Sequence, residues 1–357
     1  MKLRFVIPTI SLGLIAGAVL LSLLTTQNAS TPQKTVGKCT DGQPAHPKLL
    51  RSSSPQLKKL AQYEVLCGGA VVDAMLLFLP MPTNDAEADT YATNAAKSLQ
   101  EFARQGIAPI VLFEPSLTIP GILSQLASGA HDTSLVNYYQ NLKTHGITDA
   151  QMGTWVLFPE ANTPLWQTTD PETFRSNFIK VATIQKHIFP RSATSILLNS
   201  TTYTNNDTNW SSGELLSLKP YLTKLPKRLV DNFGYQGFPN ADSGLDPARF
   251  LPDDIAQEAL HILGIENIWI NTGTSQKYST EQRGLMLNDI VNQALKIKDA
   301  SVSINIFAED KSNTAEATDW SYWHGDIPAP NSDAVLIANF IARVRREQLG
   351  FSLYDTL

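Results

Sequence analysis

Seven short apolar runs, separated by stretches of helical periodicity, set the narrowest limit on what this chain can fold into. The runs are residues 69–79, 107–113, 154–158, 193–198, 229–233, 267–270 and 302–307. They are rich in Val, Ile, Leu or Phe, the pattern of a strand buried on both faces. Between them, residues 90–106 carry Ala92, Ala95, Ala96, Leu99, Phe102 and Ala103 at helical spacing. Residues 135–146 end in a glycine, a common helix terminator. Asp170 stands before Pro171 as an N-cap before a first-turn proline, and Phe174, Phe178, Val181, Ala182 and Ile188 then share one face. Residues 253–263, 279–298 and 333–349 read as further helices, the second opening on a capping-box-like Ser279-Thr-Glu-Gln282. This alternation predicts an α/β fold, a single (β/α)8 TIM-type barrel over residues 61–357 with one strand irregular or hidden. The alternative, a doubly wound open sheet, lacks its dinucleotide-type glycine loop.

Ahead of the barrel lies a different kind of sequence. Lys2 and Arg4 precede residues 5–24, an uncharged and overwhelmingly apolar run. About 20 such residues cross a bilayer core of about 30 Å as a helix, whereas signal-peptide apolar regions run to about 7–15. Residues 1–30 are therefore expected to form a signal-anchor, with a cleaved secretory signal as the alternative. The two cations keep the N-terminus cytoplasmic, so the rest of the chain is expected to be membrane-anchored on the extracytoplasmic face. Residues 31–60 have the Thr, Ser, Gln, Pro and Lys content of a polar linker. Cys39 and Cys67 are the chain's two cysteines, and outside the cytoplasm they are candidates for one disulfide.

The net charge of −5 argues against nucleic acid as a partner, because phosphate backbones call for a basic face. Neither a phosphate-binding glycine loop nor a zinc-like Cys/His spacing occurs, so no cofactor and no metal are expected. The chemistry concentrates instead in residues 152–166. There the apolar run Trp155–Phe158 ends in Glu160, followed by Asn162 and Trp166. A carboxyl group at a strand end, beside an amide and an aromatic ring, suits protonation of a glycosidic oxygen in a hydroxyl-rich ligand.

Barrel enzymes work at the C-terminal ends of their strands, so the residues after each apolar run form one candidate rim. Glu114 and Pro115 follow the second run, Glu160 and Asn162 the third, and Asn199 the fourth. After Val230 in the fifth run come Asp231, Tyr235 and Gln236, and Asn271 and Thr272 follow the sixth. Glu309 and Asp310 follow the seventh, with Asp319, Trp320 and Trp323 beyond. Carboxylates, amides and aromatics without a surplus of cations or a histidine cluster make a sugar-binding palette. Phosphate would call for Arg or Lys, and zinc for His and Cys.

Residues 107–189 resemble glycoside hydrolase family 26, the β-mannanase-type family of the retaining (β/α)8 clan. Pro109–Pro115 resembles that family's second strand with its Glu-Pro turn, and Ser128–Asp132, carrying His131 and Asp132, resembles the start of the next helix. Leu142–Gly146 resembles the end of that helix. Trp155–Trp166 resembles the fourth strand with its acid/base Glu, then Asn and Trp; Asp170–Phe174 resembles the following helix. Phe233–Gln236 and Phe307–Trp320 resemble later strands more thinly. The resemblance implies that Glu160 is the general acid/base. It departs at Pro159, where the family carries His, and at Asn271, which stands where the seventh strand delivers the nucleophile. The second carboxylate then falls to Glu309 or Glu114.

Three functions fit these features. The first is an extracytoplasmic glycoside hydrolase-like protein acting on a β-linked polysaccharide, with Glu160 and Glu309 catalytic. Glu114, His131, Asp132, Asn162, Trp166, Asp231, Tyr235, Gln236, Asn271, Trp320 and Trp323 are its candidate substrate contacts. The second is an inactive glycan-binding barrel with Asn271 in the nucleophile's place. The third is a surface scaffold or adhesion protein without an aromatic-lined cleft.

Overall fold

The computed structural model describes residues 55–163, 170–200, 218–239, 244–308, 310–311, 318–319 and 333–354. The predicted membrane span at 5–24, and Cys39, lie outside them. Among the described residues no helix is long and apolar enough to cross a membrane.

Eight parallel strands close into a barrel: β1 (Ala74–Pro80), β2 (Ala108–Glu114), β3 (Thr154–Leu157), β4 (Ala193–Asn199), β5 (Asn232–Gln236), β6 (Asn267–Thr272), β7 (Ser301–Phe307) and the C-terminal β10 (Gly350–Tyr354). The short antiparallel pair β8 (Asp310–Lys311) and β9 (Thr318–Asp319) follows β7. The strand hidden from the sequence pattern is β10, which slots between β1 and β7 and closes the ring.

Helices connect the strands. They are α1 (Pro55–Cys67), α2 (Asp85–Gln105), α3 (Ile122–Ser128), α4 (Asp132–Thr144), α5 (Asp149–Met152), α6 (Pro171–Ile188), α7 (Leu218–Leu222), α8 (Pro247–Phe250), α9 (Asp253–Leu263), α10 (Thr280–Ala294) and α11 (Asp333–Arg346). Their ends follow from local chemistry. The Asn84 side chain accepts from the Glu87 N–H to start α2, and Gly106 in the left-handed region closes it. Asp170 accepts from the N–H groups of Glu172 and Thr173 to start α6, and Ser279 with Gln282 forms a full capping box on α10. Helix α1 occupies the end of the segment whose composition reads as linker. Its Leu57, Leu60 and Tyr63 are buried in the barrel's outer core, and Cys67 is disulfide-bonded.

Alternation along each strand divides two cores. Outward side chains such as Val111, Phe113, Ile196, Leu198, Ile268, Ile270, Ile304 and Ile306 join the helices in the larger one. Inward side chains Leu76, Ile110, Leu112, Val156, Leu197 and Trp269 fill the barrel lumen. Trp269 is the plug of that lumen. Its indole N–H donates to Ser195 Oγ at 3.1 Å, and its ring fits because residue 234 has no side chain. A Cβ there would stand 2.6 Å from the indole and 2.9 Å from the Ile196 carbonyl oxygen. Gly234→Ala is expected to destabilise the barrel by about 1–3 kcal/mol through overpacking, read as a lowered urea midpoint with an unchanged slope.

Candidate active site

The parity that sends Leu76, Leu112, Leu197 and Trp269 into the lumen carries the next inward residues up to its C-terminal mouth. These are Phe78 on β1, Glu114 on β2, Asn199 on β4, Gln236 on β5, Asn271 on β6 and Phe307 on β7, with Asn305 and Ser352 one layer beneath. Glu160 joins them from the loop after β3. That loop has a forced shape. Phe158 and Glu160 flank Pro159 with φ of 54° and 60°, a left-handed region in which non-glycine residues cost roughly 1–3 kcal/mol each. The Glu160 N–H donates to the Leu197 carbonyl at 2.8 Å, and the Glu160 carbonyl accepts from the Thr163 N–H at 3.0 Å. Asn162 is fully buried, and its carboxamide pairs with the Asn199 backbone in both directions, donating to its carbonyl and accepting from its N–H, each at 2.9 Å. The chain thus spends backbone strain and a buried amide on fixing one carboxylate.

From Glu160 a single line of hydrogen bonds runs around the mouth. Gln236 Nε2 donates to Glu160 Oε1 at 2.7 Å, and Asn271 Nδ2 donates to Gln236 Oε1 at 2.5 Å. Asn305 Nδ2 donates to Asn271 Oδ1 at 2.6 Å, and Ser352 Oγ donates to Asn305 Oδ1 at 2.9 Å. Every donor in this relay points toward Glu160. A carboxylate can only accept, so the direction of each amide downstream is set by the one before it.

Glu114 faces this carboxylate from the neighbouring strand. Burial, and then the negative charge of Glu160, hold its carboxyl above the ordinary range. A group raised in the folded state favours the fold fully below its unfolded value, about 4.3 for Glu. That contribution is lost as pH rises through the folded value. Glu114→Gln is therefore expected to raise the melting temperature at pH 7 and to leave it unchanged near pH 4, as scanning calorimetry would show.

The other predicted site residues lie elsewhere. Asp231 is a correction: it precedes β5 and sits at the opposite end of the barrel, bonded to Lys186 at 2.7 Å and to the Thr194 N–H at 2.8 Å. Tyr235 is also corrected, because it points outward, 1% exposed, with its hydroxyl donating to the Pro252 carbonyl. His131 bridges the Thr83 carbonyl and Gln125 Oε1, and Asp132 opens α4 3.4 Å from Lys180, so both brace loops beside the mouth. Asn162 acts on the backbone, as above. Trp166, Glu309, Trp320 and Trp323 lie outside the described residues.

Phe78, Asn305 and Ser352 escaped the sequence reading. Phe78 is 46% exposed, a high value for a barrel-strand phenylalanine, and together with Phe307, whose ring meets Phe238 edge-on, it gives the mouth an apolar side. Asn199 is 3% exposed with its Oδ1 lacking a hydrogen-bond partner, so an acceptor stands ready at the mouth. Among the described residues no cluster of His, Cys, Asp and Glu suited to a metal ion occurs.

Comparison with known proteins places the fold. No family model matches the sequence, and no curated protein matches it. Solved structures do match. An exo-β-1,4-mannosidase from Opitutaceae bacterium strain TAV5 is similar at a TM-score of 0.56 and 13% identity, over 87% of this chain and 59% of that one. A glycoside hydrolase family 26 β-mannanase from Bacteroides ovatus is similar at 0.52 and 9%, over 78% and 80%. A β-glucosidase from Thermotoga maritima is similar at 0.52 and 10%, over 80% and 86%. At these identities the likeness establishes the (β/α)8 barrel. Glu160 follows the third strand in chain order and Asn271 is the last but one residue of the sixth. Both stand one strand earlier than the fourth and seventh positions of the family resemblance, with the same three-strand interval between them.

Proposed function

We propose that this protein is an extracytoplasmic glycoside hydrolase acting on a β-linked, uncharged polysaccharide, with Glu160 as the catalytic carboxylate of the barrel mouth. The observation that carries the proposal is the convergence on Glu160. A strained loop, a buried carboxamide and a one-way amide relay from four other strands all serve to place and orient that single side chain. Pre-organisation of this kind is what a reacting group needs and what a solvated surface glutamate does not. The mouth also supplies the parts of a sugar site: carboxamides for hydroxyl groups and Phe78 for the apolar face of a pyranose ring. Glu160 carries a negative charge at the mouth with Glu114 beside it, and like charge disfavours uronates and other anionic sugars. The barrel likeness to mannosidases, mannanases and glucosidases supports the same chemistry, and the apolar 5–24 segment supports an extracytoplasmic, membrane-anchored location. The test is reducing-end release by the full-length chain from β-mannan, β-glucan, β-galactan and xylan. Release from at least one neutral β-linked polymer is expected. Binding to one of them without release would favour the inactive glycan-binding barrel, with Asn271 at the position of the missing nucleophile.

A further inference from the structure

The site holds a second carboxyl group with no structural duty among its described contacts. Glu114 ends β2 with the inward parity of Ile110 and Leu112, so its side chain rises into the mouth above the lumen plug. Its strand is hydrogen-bonded to β3, whose following loop delivers Glu160, and Glu114 lies within the electrostatic reach of that carboxylate. The two surroundings differ in kind. Glu160 receives an amide donor at the head of a relay that points entirely toward it. Glu114 is half-buried, lies under the field of Glu160, and has no charged partner among the described residues. Two acids whose environments pull them apart divide acid and base roles between them.

We propose that Glu114 is the proton donor of this site and Glu160 its ionised nucleophile, an assignment that rests on the hydrolase reading above. Glu114 ends β2 and Glu160 follows β3, its hydrogen-bonded neighbour, so the two carboxyl groups enter the mouth from adjacent positions on the ring, as the paired acids of two-step hydrolysis must. In the first step a Glu160 oxygen bonds to the anomeric carbon. The bond from that carbon to the glycosidic oxygen breaks, its electron pair stays on the oxygen, and the Glu114 proton completes the leaving hydroxyl. In the second step the Glu114 carboxylate takes a proton from water. The water oxygen bonds to the anomeric carbon, and the ester bond to Glu160 breaks. One water is consumed and both carboxyl groups return to their starting forms. The pair also places the nucleophile on the loop after β3, which leaves Asn271 to orient Gln236 and accounts for an amide at that position.

The experiment compares the wild-type chain, Glu114→Gln and Glu160→Gln on two kinds of substrate. One is the polymer that the wild type cuts. The other is the set of 2,4-dinitrophenyl β-glycosides of its mono- and disaccharides, whose leaving group needs no proton. Glu114→Gln is expected to lose about 10³-fold on the polymer. On the aryl glycoside it should give a burst of dinitrophenolate, with steady turnover raised more than about tenfold by azide, which needs no general base. Glu160→Gln should show neither burst nor azide rescue. Equal losses by Glu114→Gln on both substrates without an azide effect would overturn the assignment while leaving the hydrolase reading intact. Rescue of Glu160→Gln to a glycosyl azide of retained configuration, with none for Glu114→Gln, would reverse the two roles. If the wild type cuts neither polymer nor aryl glycosides, the hydrolase reading falls and this assignment falls with it. An unchanged or raised melting temperature of Glu114→Gln at pH 7 separates lost chemistry from lost fold.

Discussion

Glu160→Gln is expected to reduce polysaccharide hydrolysis by about 10³-fold or more, with almost no change in stability. The substitution keeps the side chain's shape and leaves the left-handed backbone at residue 160 and the Asn162 clamp untouched. It removes the charge that Gln236 Nε2 donates to. A neutral amide at 160 can also turn its own N–H₂ toward Gln236, so the relay through Asn271 and Asn305 loses its fixed direction. Activity thus falls through the loss of the reacting group, and the melting temperature stays within about 2 °C of wild type. An unfolded or strongly destabilised variant would instead make Glu160 a structural residue.

The second large effect concerns stability. Arg283→Met is expected to destabilise the protein by about 3–5 kcal/mol, enough to lower the melting temperature by roughly 10 °C. Arg283 is fully buried on α10 and meets Asp333 at 2.5 Å, while its Nε donates to Thr274 Oγ1 at 3.3 Å. The same carboxylate accepts from Gln276 Nε2 at 2.9 Å and Thr280 Oγ1 at 3.0 Å, so it ties the loop after β6 and the start of α10 to the start of α11. Removing the guanidinium strands the Asp333 carboxylate, 14% exposed, without its counter-charge. Replacing both partners removes that penalty, so Arg283→Met with Asp333→Leu should recover much of the loss, and denaturant titration of the cycle measures the coupling. Neither Arg283 nor Asp333 bonds to Glu160 or to the relay residues in the described contacts, so polymer cleavage per folded molecule should persist in the single variant.

The barrel was legible where strands are apolar on both faces and hidden where only one face is. The first four strands and β6 and β7 read clearly because lumen and helix layer both demand Val, Ile, Leu or Phe. Along β5 the inward residues are Asn232, Gly234 and Gln236, so only Phe233 and Tyr235 carry the apolar signal. The run at 229–233 therefore pointed three residues early, onto the 3-10 turn Lys227–Leu229. That shift explains the misplacement of Asp231, which seemed to follow a strand and in fact precedes one. The closing strand β10 offers only Phe351 and Leu353 to the helix layer, with Ser352 turned inward to the relay.

The site was half legible for a related reason. Strand-end carboxylates and amides announce themselves, so Glu160, Glu114, Gln236 and Asn271 read as rim residues, and the barrel mouth is where they lie. Phe78 does not read so, because a phenylalanine within an apolar run reads as core, and only its register beside the mouth exposes it. Asn305 was missed as a polar residue inside a strand; its partners sit on β6 and β10, distant in sequence. Asn162 shows the converse. Its position two residues after the acid suggests a sugar contact, whereas the described bonds of this fully buried amide go to the Asn199 backbone and fix the shape of the loop.

The most direct test is a crystal structure of Glu160→Gln soaked with an oligosaccharide of the polymer that the wild type cleaves. A pyranose ring should stack near Phe78, with a glycosidic oxygen within about 2.6–3.2 Å of the Glu114 carboxyl and hydroxyl groups bonded to Asn199 or Gln236. An oligosaccharide bound at saturation anywhere other than the mouth between β1 and β6 would contradict the assignment of this site.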